Sequence, residues 1–367
     1  MHKARVLIVD DSTVIRRLLS EALSGDPGIE VVGTAANGRI ALAKVPQVNP
    51  DLITLDVEMP ELDGLATLRE LRKTYPRLPV IMFSTLTDKG AVATLNALAA
   101  GASDYVTKPA NVGSVTAGLQ KVRDELIPKI RALCRLDETA SSPTPRPKSP
   151  AFSPPTSGLA AAPAPPVEVV ALGVSTGGPN ALTELFRALP GDLPVPVLIV
   201  QHMPPVFTRY LAERLDAVSP LTVREAQAGD LLHPGGAWLA PGNYHMVVVR
   251  TGQGVAIQLH QGPPENSCRP AVDVLFCSVA EVYGAGTLGV VLTGMGQDGL
   301  RGSEAIRQVG GRVLAQDQAT SVVWGMPGAV AQAGLAERIL PLEQIAGEIV
   351  RRVGTRRMAG NVAQVRA

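Results

Sequence analysis

Apolar positions along the chain follow two periodicities in turn, and their alternation predicts an α/β protein from end to end. Runs such as Arg5-Val6-Leu7-Ile8-Val9 are apolar on consecutive residues, the mark of a strand covered on both faces. The stretch after it places Val14, Ile15, Leu18, Leu19 and Leu23 at helical spacing, so a helix with one buried stripe is expected there. Further strands are expected at 30–35, 52–55, 80–83 and 104–106, with the intervening helices ending at Gly or Pro. Five such units make residues 1–136 a doubly wound (βα)5 domain with a parallel sheet. Over residues 137–166 the periodicity stops, and Pro, Ala and Ser take over in a stretch that cannot bury a core. Such a linker spans on the order of 30 Å and keeps the flanking domains at roughly millimolar effective concentration. Apolar runs resume at 167–172, 195–200, 236–240, 245–249, 255–259, 288–292 and 312–315. Residues 167–355 are therefore expected to form an α/β/α sandwich with a mostly parallel sheet. Hairpin-like strands near Met246 and Ile257 suggest an antiparallel addition, and residues 356–367 form a basic tail.

Composition narrows the function classes. A net charge of +1 gives no reason to expect nucleic acid or an anionic membrane as partner. No apolar run approaches the roughly 20 residues that span a bilayer, which excludes membrane insertion by a helix. Cys134, Cys268 and Cys277 are odd in number and form no C-x-x-C pair, as expected of reduced thiols in a cytoplasmic protein.

In doubly wound sheets the functional groups collect at the carboxyl ends of the strands. In the first half those ends carry Asp10 and Asp11, then Asp56, then Ser84 and Thr85, then Lys108-Pro109. Three carboxylates converging on one edge repel one another unless a hard dication sits among them, and Mg²⁺ suits such oxygen ligands. A lysine and a hydroxyl opposite would each engage a phosphoryl oxygen. Taken singly, each Asp reads equally well as a helix cap; the matched set does not.

This segment resembles the response-regulator receiver domains, through Asp10-Asp11, Asp56 followed by Met59-Pro60 and Asp63-Gly64, Ser84, and Lys108-Pro109. The resemblance implies that Asp56 accepts a phosphoryl group from a histidine kinase. It implies Mg²⁺ held by Asp11, Asp56 and the Glu58 carbonyl, with Asp10 acting through water. It also implies Ser84 as the switching hydroxyl, with Thr85 a weaker candidate. Tyr105 falls at the switching aromatic, where a plain core tyrosine is the competing reading.

The second half is organised around Leu172-Gly173-Val174-Ser175-Thr176-Gly177-Gly178-Pro179, an apolar run turning into a helical pattern with a serine at the corner. A hydroxyl there stands beside the free N–H groups of a helix N-terminus, where a nucleophile and an oxyanion site can be built together. The competing reading makes Ser175 only an N-cap. For its base, His202 ends the next buried run, while His245, after Pro241-Gly242-Asn243-Tyr244, competes with it; His233 and His260 lie in turns. For its acid, Asp298 sits at a second glycine-rich corner after the run 288–292, with Asp273 as rival. Two decoys share these corners. Gly294, Gly296 and Gly299 satisfy a dinucleotide fingerprint with Asp317 beyond, but Asp298 puts a negative charge where the pyrophosphate belongs. Gly173 to Gly177 fits the α/β-hydrolase elbow, but the order Ser175, His202, Asp298 is not that fold's.

With these residues assembled, the second half resembles the catalytic domain of the chemotaxis protein-glutamate methylesterases. The motifs are 173–179, Gln201-His202-Met203, 240–245, Arg269-Pro270-Ala271-Val272-Asp273, 293–299 and Trp324-Gly325-Met326-Pro327, with Val174 in place of the family's expected Ala. The resemblance implies Ser175 as nucleophile, His202 as base, Asp298 as the orienting acid and a backbone oxyanion donor near Met295, with no cofactor in the esterase site. It implies methyl-accepting chemotaxis receptors as substrates and a receiver that docks over the site until Asp56 is phosphorylated. Two other classes compete: a phosphorylation-controlled binding module on an inactive hydrolase fold, and a receiver joined to a DNA-binding output. The second would rest on the arginines near Arg351 and Arg357, which carry no helix-turn-helix pattern.

Overall fold

The computed structural model describes residues 3–108, 115–136 and 165–354. Pro109, the linker over 137–164 and the tail beyond 354 lie outside them.

The first domain runs β1 (Ala4–Val9), α1 (Thr13–Ser24), β2 (Ile29–Ala35), α2 (Gly38–Val48), β3 (Leu52–Asp56), α3 (Gly64–Thr74), β4 (Val80–Ser84), α4 (Asp88–Ala99), β5 (Asp104–Thr107) and α5 (Val115–Leu133). The five strands pair in parallel in the order β2-β1-β3-β4-β5. β3 and β4 are buried at every residue and read as apolar runs, interrupted inside only by the buried Thr54 and otherwise polar only at their carboxyl ends, Asp56 and Ser84. The helices start on side-chain caps: Ser12 accepts from Ile15 N, and Asp63 from Ala66 N.

The second domain runs β6 (Val169–Val174), α6 (Gly178–Ala188), β7 (Val197–Gln201), α7 (Phe207–Val218), β8 (Thr222–Glu225), β9 (Gly236–Leu239), β10 (His245–Thr251), β11 (Gly254–His260), α8 (Val272–Tyr283), β12 (Thr287–Val291), α9 (Leu300–Gln308), β13 (Arg312–Gln316), α10 (Met326–Gln332), β14 (Arg338–Leu340) and α11 (Leu342–Gly354). Seven strands pair in parallel in the order β14-β13-β12-β6-β7-β9-β8. The sheet is thus α/β as expected, with two edge strands that the apolar pattern missed. β8 alternates exposed and buried residues, and β14 has three residues with one buried; charged, short edges of this kind carry no apolar run. The hairpin of β10 and β11 forms its own two-stranded sheet rather than an extension of the large one. Chain order reverses between β6 and β12, which makes the carboxyl ends of β12, β6 and β7 the crevice where such sheets bind ligands. No helix among the described residues is long and apolar enough to cross a membrane.

The domains touch along α4 and β5 on one side and α6 and α7 on the other. The Tyr105 ring stacks on Phe207 at 5.0 Å between centroids, Asn180 Nδ2 donates to the Leu98 carbonyl at 2.8 Å, and Arg214 Nη1 to the Leu95 carbonyl at 3.0 Å.

Candidate active site

The three adjacent strand ends of the second domain supply one side chain each. β6 turns into α6 through Ser175, Thr176 and Gly177, and the turn is tight for two reasons. Gly177 has φ +79°, a left-handed conformation that L side chains rarely adopt. Gly294 packs so closely that a Cβ there would lie 2.8 Å from Ser175 Cβ and 2.4 Å from Met326 Sδ. Ser175 is not spent as a cap, because α6 begins on Gly177 with no side-chain capping bond. Its backbone is pinned instead: its N–H donates to the Thr293 carbonyl at 3.0 Å, and Gln201 Nε2 donates to its carbonyl at 3.0 Å.

His202 follows β7, and its Nε2 lies 2.7 Å from Asp298 Oδ2. Its other nitrogen, Nδ1, faces Cys268 Sγ at 3.5 Å. Among the described residues no hydrogen bond yet joins Ser175 Oγ to the ring, although both line one cleft of about 700 Å³ with Cys268, Arg269 and Met295. Met295 follows Gly294, whose N–H and carbonyl are tied to Val323, Gly325 and Met326, so the loop presenting its backbone to the cleft is fixed. Asp298 is buried and receives Val272 N at 2.6 Å on Oδ2, and Asp273 N, Asn266 Nδ2 and Gly299 N at 3.0 Å on Oδ1. Burial opposes its ionisation, but the bond from His202 and these amides outweigh it and hold the carboxyl below its ordinary value. Burial likewise opposes protonation of the imidazole, and the bonds to Asp298 and Cys268 reverse that, pushing His202 up.

The competing residues fall elsewhere. His245 is buried with both ring nitrogens on backbone, Nε2 at 3.0 Å from the Pro263 carbonyl and Nδ1 accepting from Ala271 N at 3.3 Å. His233 packs on Trp238, and His260 Nδ1 accepts from Gly262 N. Asp273 sits in the first turn of α8 and does not touch His202; its bonds go to α9 and Asn266. Asp317 accepts from the Thr320 backbone and hydroxyl, a turn role rather than a ribose contact. Asn266 and Cys268 were not singled out from the sequence, where nothing in their spacing marks them.

The first domain gathers its own set. Ligand oxygens of Asp10, Asp11 and Asp56 lie within 4.8 Å of one another, with Asp10 and Asp56 buried and Asp11 exposed. Lys108 Nζ bridges Asp10 Oδ2 at 3.0 Å and Asp56 Oδ2 at 2.8 Å. Burial pushes Asp56 up to about 6, with the Asp10 charge adding to it and Lys108 opposing. An all-oxygen donor set with one lysine for its buried carboxylates fits a hard dication. Glu58 lines the same pocket while its side chain pairs with Lys89, and Ser84 Oγ donates to the Gly90 carbonyl at 3.1 Å. Thr85 pairs its hydroxyl with Thr87 instead.

Receiver residues also reach the cleft of Ser175. Leu86, Tyr105, Thr107 and Lys129 line it, and Thr176 Oγ1, one residue from the serine, donates to Asp104 Oδ2 at 2.9 Å. Asp104 is braced by Lys129 Nζ at 2.8 Å.

Comparison with known proteins agrees with both halves. A family model described as CheB methylesterase matches residues 170–349, and one described as response regulator receiver domain matches residues 6–120. The protein-glutamate methylesterase/protein-glutamine glutaminase of Trichodesmium erythraeum is 57% identical over 354 residues, covering 96% of this chain and 100% of that one. The protein of the same name from a Nocardioides species is 55% identical over 361 residues, covering 97% of each. The crystal structure of the Thermotoga maritima CheB methylesterase catalytic domain is 41% identical with a TM-score of 0.50, covering 50% of this chain and 98% of that one. The chain therefore belongs to the protein-glutamate methylesterase/protein-glutamine glutaminase family, carrying a receiver domain ahead of a CheB methylesterase domain.

Proposed function

We propose that the protein is a serine hydrolase that cleaves glutamyl methyl esters on methyl-accepting chemotaxis receptors, releasing methanol, and deamidates receptor glutamines to glutamate. The observation that carries this reading is the His202–Asp298 bond of 2.7 Å, set in a cleft that Ser175 shares. Ser175 Oγ attacks the ester carbonyl and passes its proton to His202 Nδ1, the nitrogen not committed to Asp298. That contact tightens when substrate fills the cleft, as catalytic hydrogen bonds commonly do. The Met295 backbone N–H supports the developing oxyanion. His202 then returns the proton to departing methanol, and water cleaves the glutamyl ester on Ser175. With glutamine, ammonia departs less readily than methanol, so proton return carries more of the barrier.

Phosphorylation is the proposed control. Asp56 takes a phosphoryl group from a histidine kinase, with Asp11, Asp56 and the Glu58 carbonyl as the residues that hold Mg²⁺ and Asp10 behind them. Bound Mg²⁺ neutralises charge on the phosphoryl oxygens. Lys108 pairs with a remaining phosphoryl oxygen, and Ser84 leaves the Gly90 carbonyl for another. That movement pulls on α4 and frees Tyr105 from Phe207, shifting the receiver off the cleft. The Thr176–Asp104 bond and the receiver residues lining the cleft support a closed resting state.

The test is methanol release from methylated receptor with and without a small phosphodonor. Release should rise with the donor, be lost in Ser175→Ala, and ignore the donor in Asp56→Asn. Release by Ser175→Ala at the parent rate overturns the reading.

A further inference from the structure

The first turns of α8 and α9 meet behind the acid that faces His202. Neither helix is capped by its own N-cap residue, since Ala271 and Gly299 make no side-chain capping bond. Each is capped instead by an acid from the other's segment. Asp298, one residue ahead of the α9 cap, accepts from Val272 N at 2.6 Å and Asp273 N at 3.0 Å at the start of α8. Asp273, in the first turn of α8, accepts on Oδ1 from Gly299 N at 3.0 Å and Gly302 N at 2.7 Å at the start of α9. The Asn266 amide closes the loop, its Nδ2 donating to Asp273 Oδ2 at 2.9 Å and to Asp298 Oδ1 at 3.0 Å. Both acids are buried, Asp273 at 4% and Asp298 at 2% exposure.

We infer that Asp273, coupled through Asn266, is a positioning residue for the esterase: it fixes the turn that presents Asp298 to His202 and tunes the proton affinity of the imidazole. The inference rests on the proposed Ser175–His202–Asp298 relay. The mechanical part follows from Gly299, at φ +93°, whose N–H is shared between Asp298 Oδ1 and a 3.0 Å bond to Asp273 Oδ1. When that bond is lost, the turn relaxes and Asp298 Oδ2 swings out of line with Nε2. The electrostatic part follows from a second carboxylate sitting behind the first in a buried site. Burial pushes the Asp273 carboxyl up; the Gly302 amide opposes this, the Asp298 charge adds to it, and Asn266 and Arg301 oppose it. The other charged or titratable groups facing the pair are Glu265, ion-paired with Arg301, Glu304, which lines the same pocket as Asp273, and Cys277, with Cys268 on the far nitrogen of His202. Asn266 also lines the cleft of Ser175 and a separate pocket of about 450 Å³ that reaches Asp273, so the coupling runs from solvent to the reacting centre.

Two substitutions separate this role from simple packing because they move the base in opposite directions. Asp273→Asn removes a negative charge behind Asp298 and makes the imidazolium easier to deprotonate. Asn266→Ala removes a donor that shares the Asp298 charge and makes it harder. In full-length, phosphodonor-activated protein, methanol release is followed across pH. Asp273→Asn keeps one acceptor oxygen but turns a donor nitrogen on either the Asn266 amide or the α9 amides, so it should lower kcat roughly ten- to a hundredfold with KM within about twofold, and move the acid limb of kcat/KM down by about half a unit. Asn266→Ala, which leaves the α9 cap in place and keeps the inference testable if Asp273→Asn fails to fold, should move the limb up. Limbs that stay put, or that move the same way in both variants, overturn the inference, as does a KM effect at constant kcat. A Ser175→Ala control separates the two levels: turnover there overturns the esterase reading itself.

Discussion

Both halves of the chain set buried carboxylates at the ends of parallel strands, and the two sets are held in opposite ways. In the receiver, Asp10 and Asp56 share a single cation, Lys108, and each accepts one backbone N–H, from Ser12 and Glu58. Burial and mutual repulsion therefore prevail, and Asp56 rises to about 6. In the esterase half, Asp298 is just as buried but accepts from His202, three backbone amides and Asn266, and its pKa falls. A carboxylate short of partners keeps an unmet demand for positive charge, which suits the phosphoryl acceptor proposed for Asp56. One saturated with donors stays ionised and oriented whatever the signal, which suits an acid that must hold an imidazole through every turnover.

The contrast can be broken at either end. Ser175→Ala should lower methanol release by roughly 10⁴-fold or more while leaving receiver phosphorylation intact, as measured with a small phosphodonor. Asp298→Asn keeps the shape but presents an amide where the carboxylate accepted five donors; a loss of roughly 10³-fold in kcat is expected, with an unchanged response of the residual rate to phosphodonor. At the receiver end, sharing one lysine should leave Asp56 a liability in the absence of a dication. Its folded pKa of about 6 exceeds the ordinary carboxyl value of 3.8, so stability is greatest when it is protonated and declines as pH rises through that interval. Asp56→Asn should then raise the receiver's unfolding free energy by about 3 kcal/mol above pH 7 without Mg²⁺, with no gain near pH 3, in denaturant titrations. The smallest effect belongs to the seam between the halves. Asp104→Ala removes the acceptor of Thr176 and should raise basal methanol release roughly two- to tenfold without phosphodonor, leaving the activated rate unchanged.

Much of this layout is legible in the sequence because chemistry-bearing side chains gather where apolar runs stop, at the carboxyl ends of strands. Asp10, Asp56 and Lys108 stand directly after buried runs, as do Ser175 and His202, so a parallel sheet brings each set to one edge. Position alone favours His202, which ends a buried run, and leaves His245, after the turn Pro241-Gly242-Asn243-Tyr244, as its competitor. The fold separates them by tying both nitrogens of His245 to backbone. Edge strands β8 and β14 escape because an edge needs no unbroken apolar run. The reciprocal caps escape for a different reason: Asp273 is visible as an early-helix acid, but the N–H groups it serves belong to the next helix, 26 and 29 residues on. Cys268 becomes noteworthy only once folding puts it against Nδ1 of His202.

That cysteine makes the central assignment sharp, because the imidazole touches its thiol and shares the cleft with the Ser175 hydroxyl. The most direct measurement is an acid quench of activated protein turning over a methylated receptor peptide, followed by mapping of the covalent adduct by mass spectrometry. Serine catalysis predicts an adduct of peptide less methanol on Ser175, absent from Ser175→Ala and retained in Cys268→Ala. An adduct on Cys268 instead, or methanol released by Ser175→Ala at the parent rate, would contradict it.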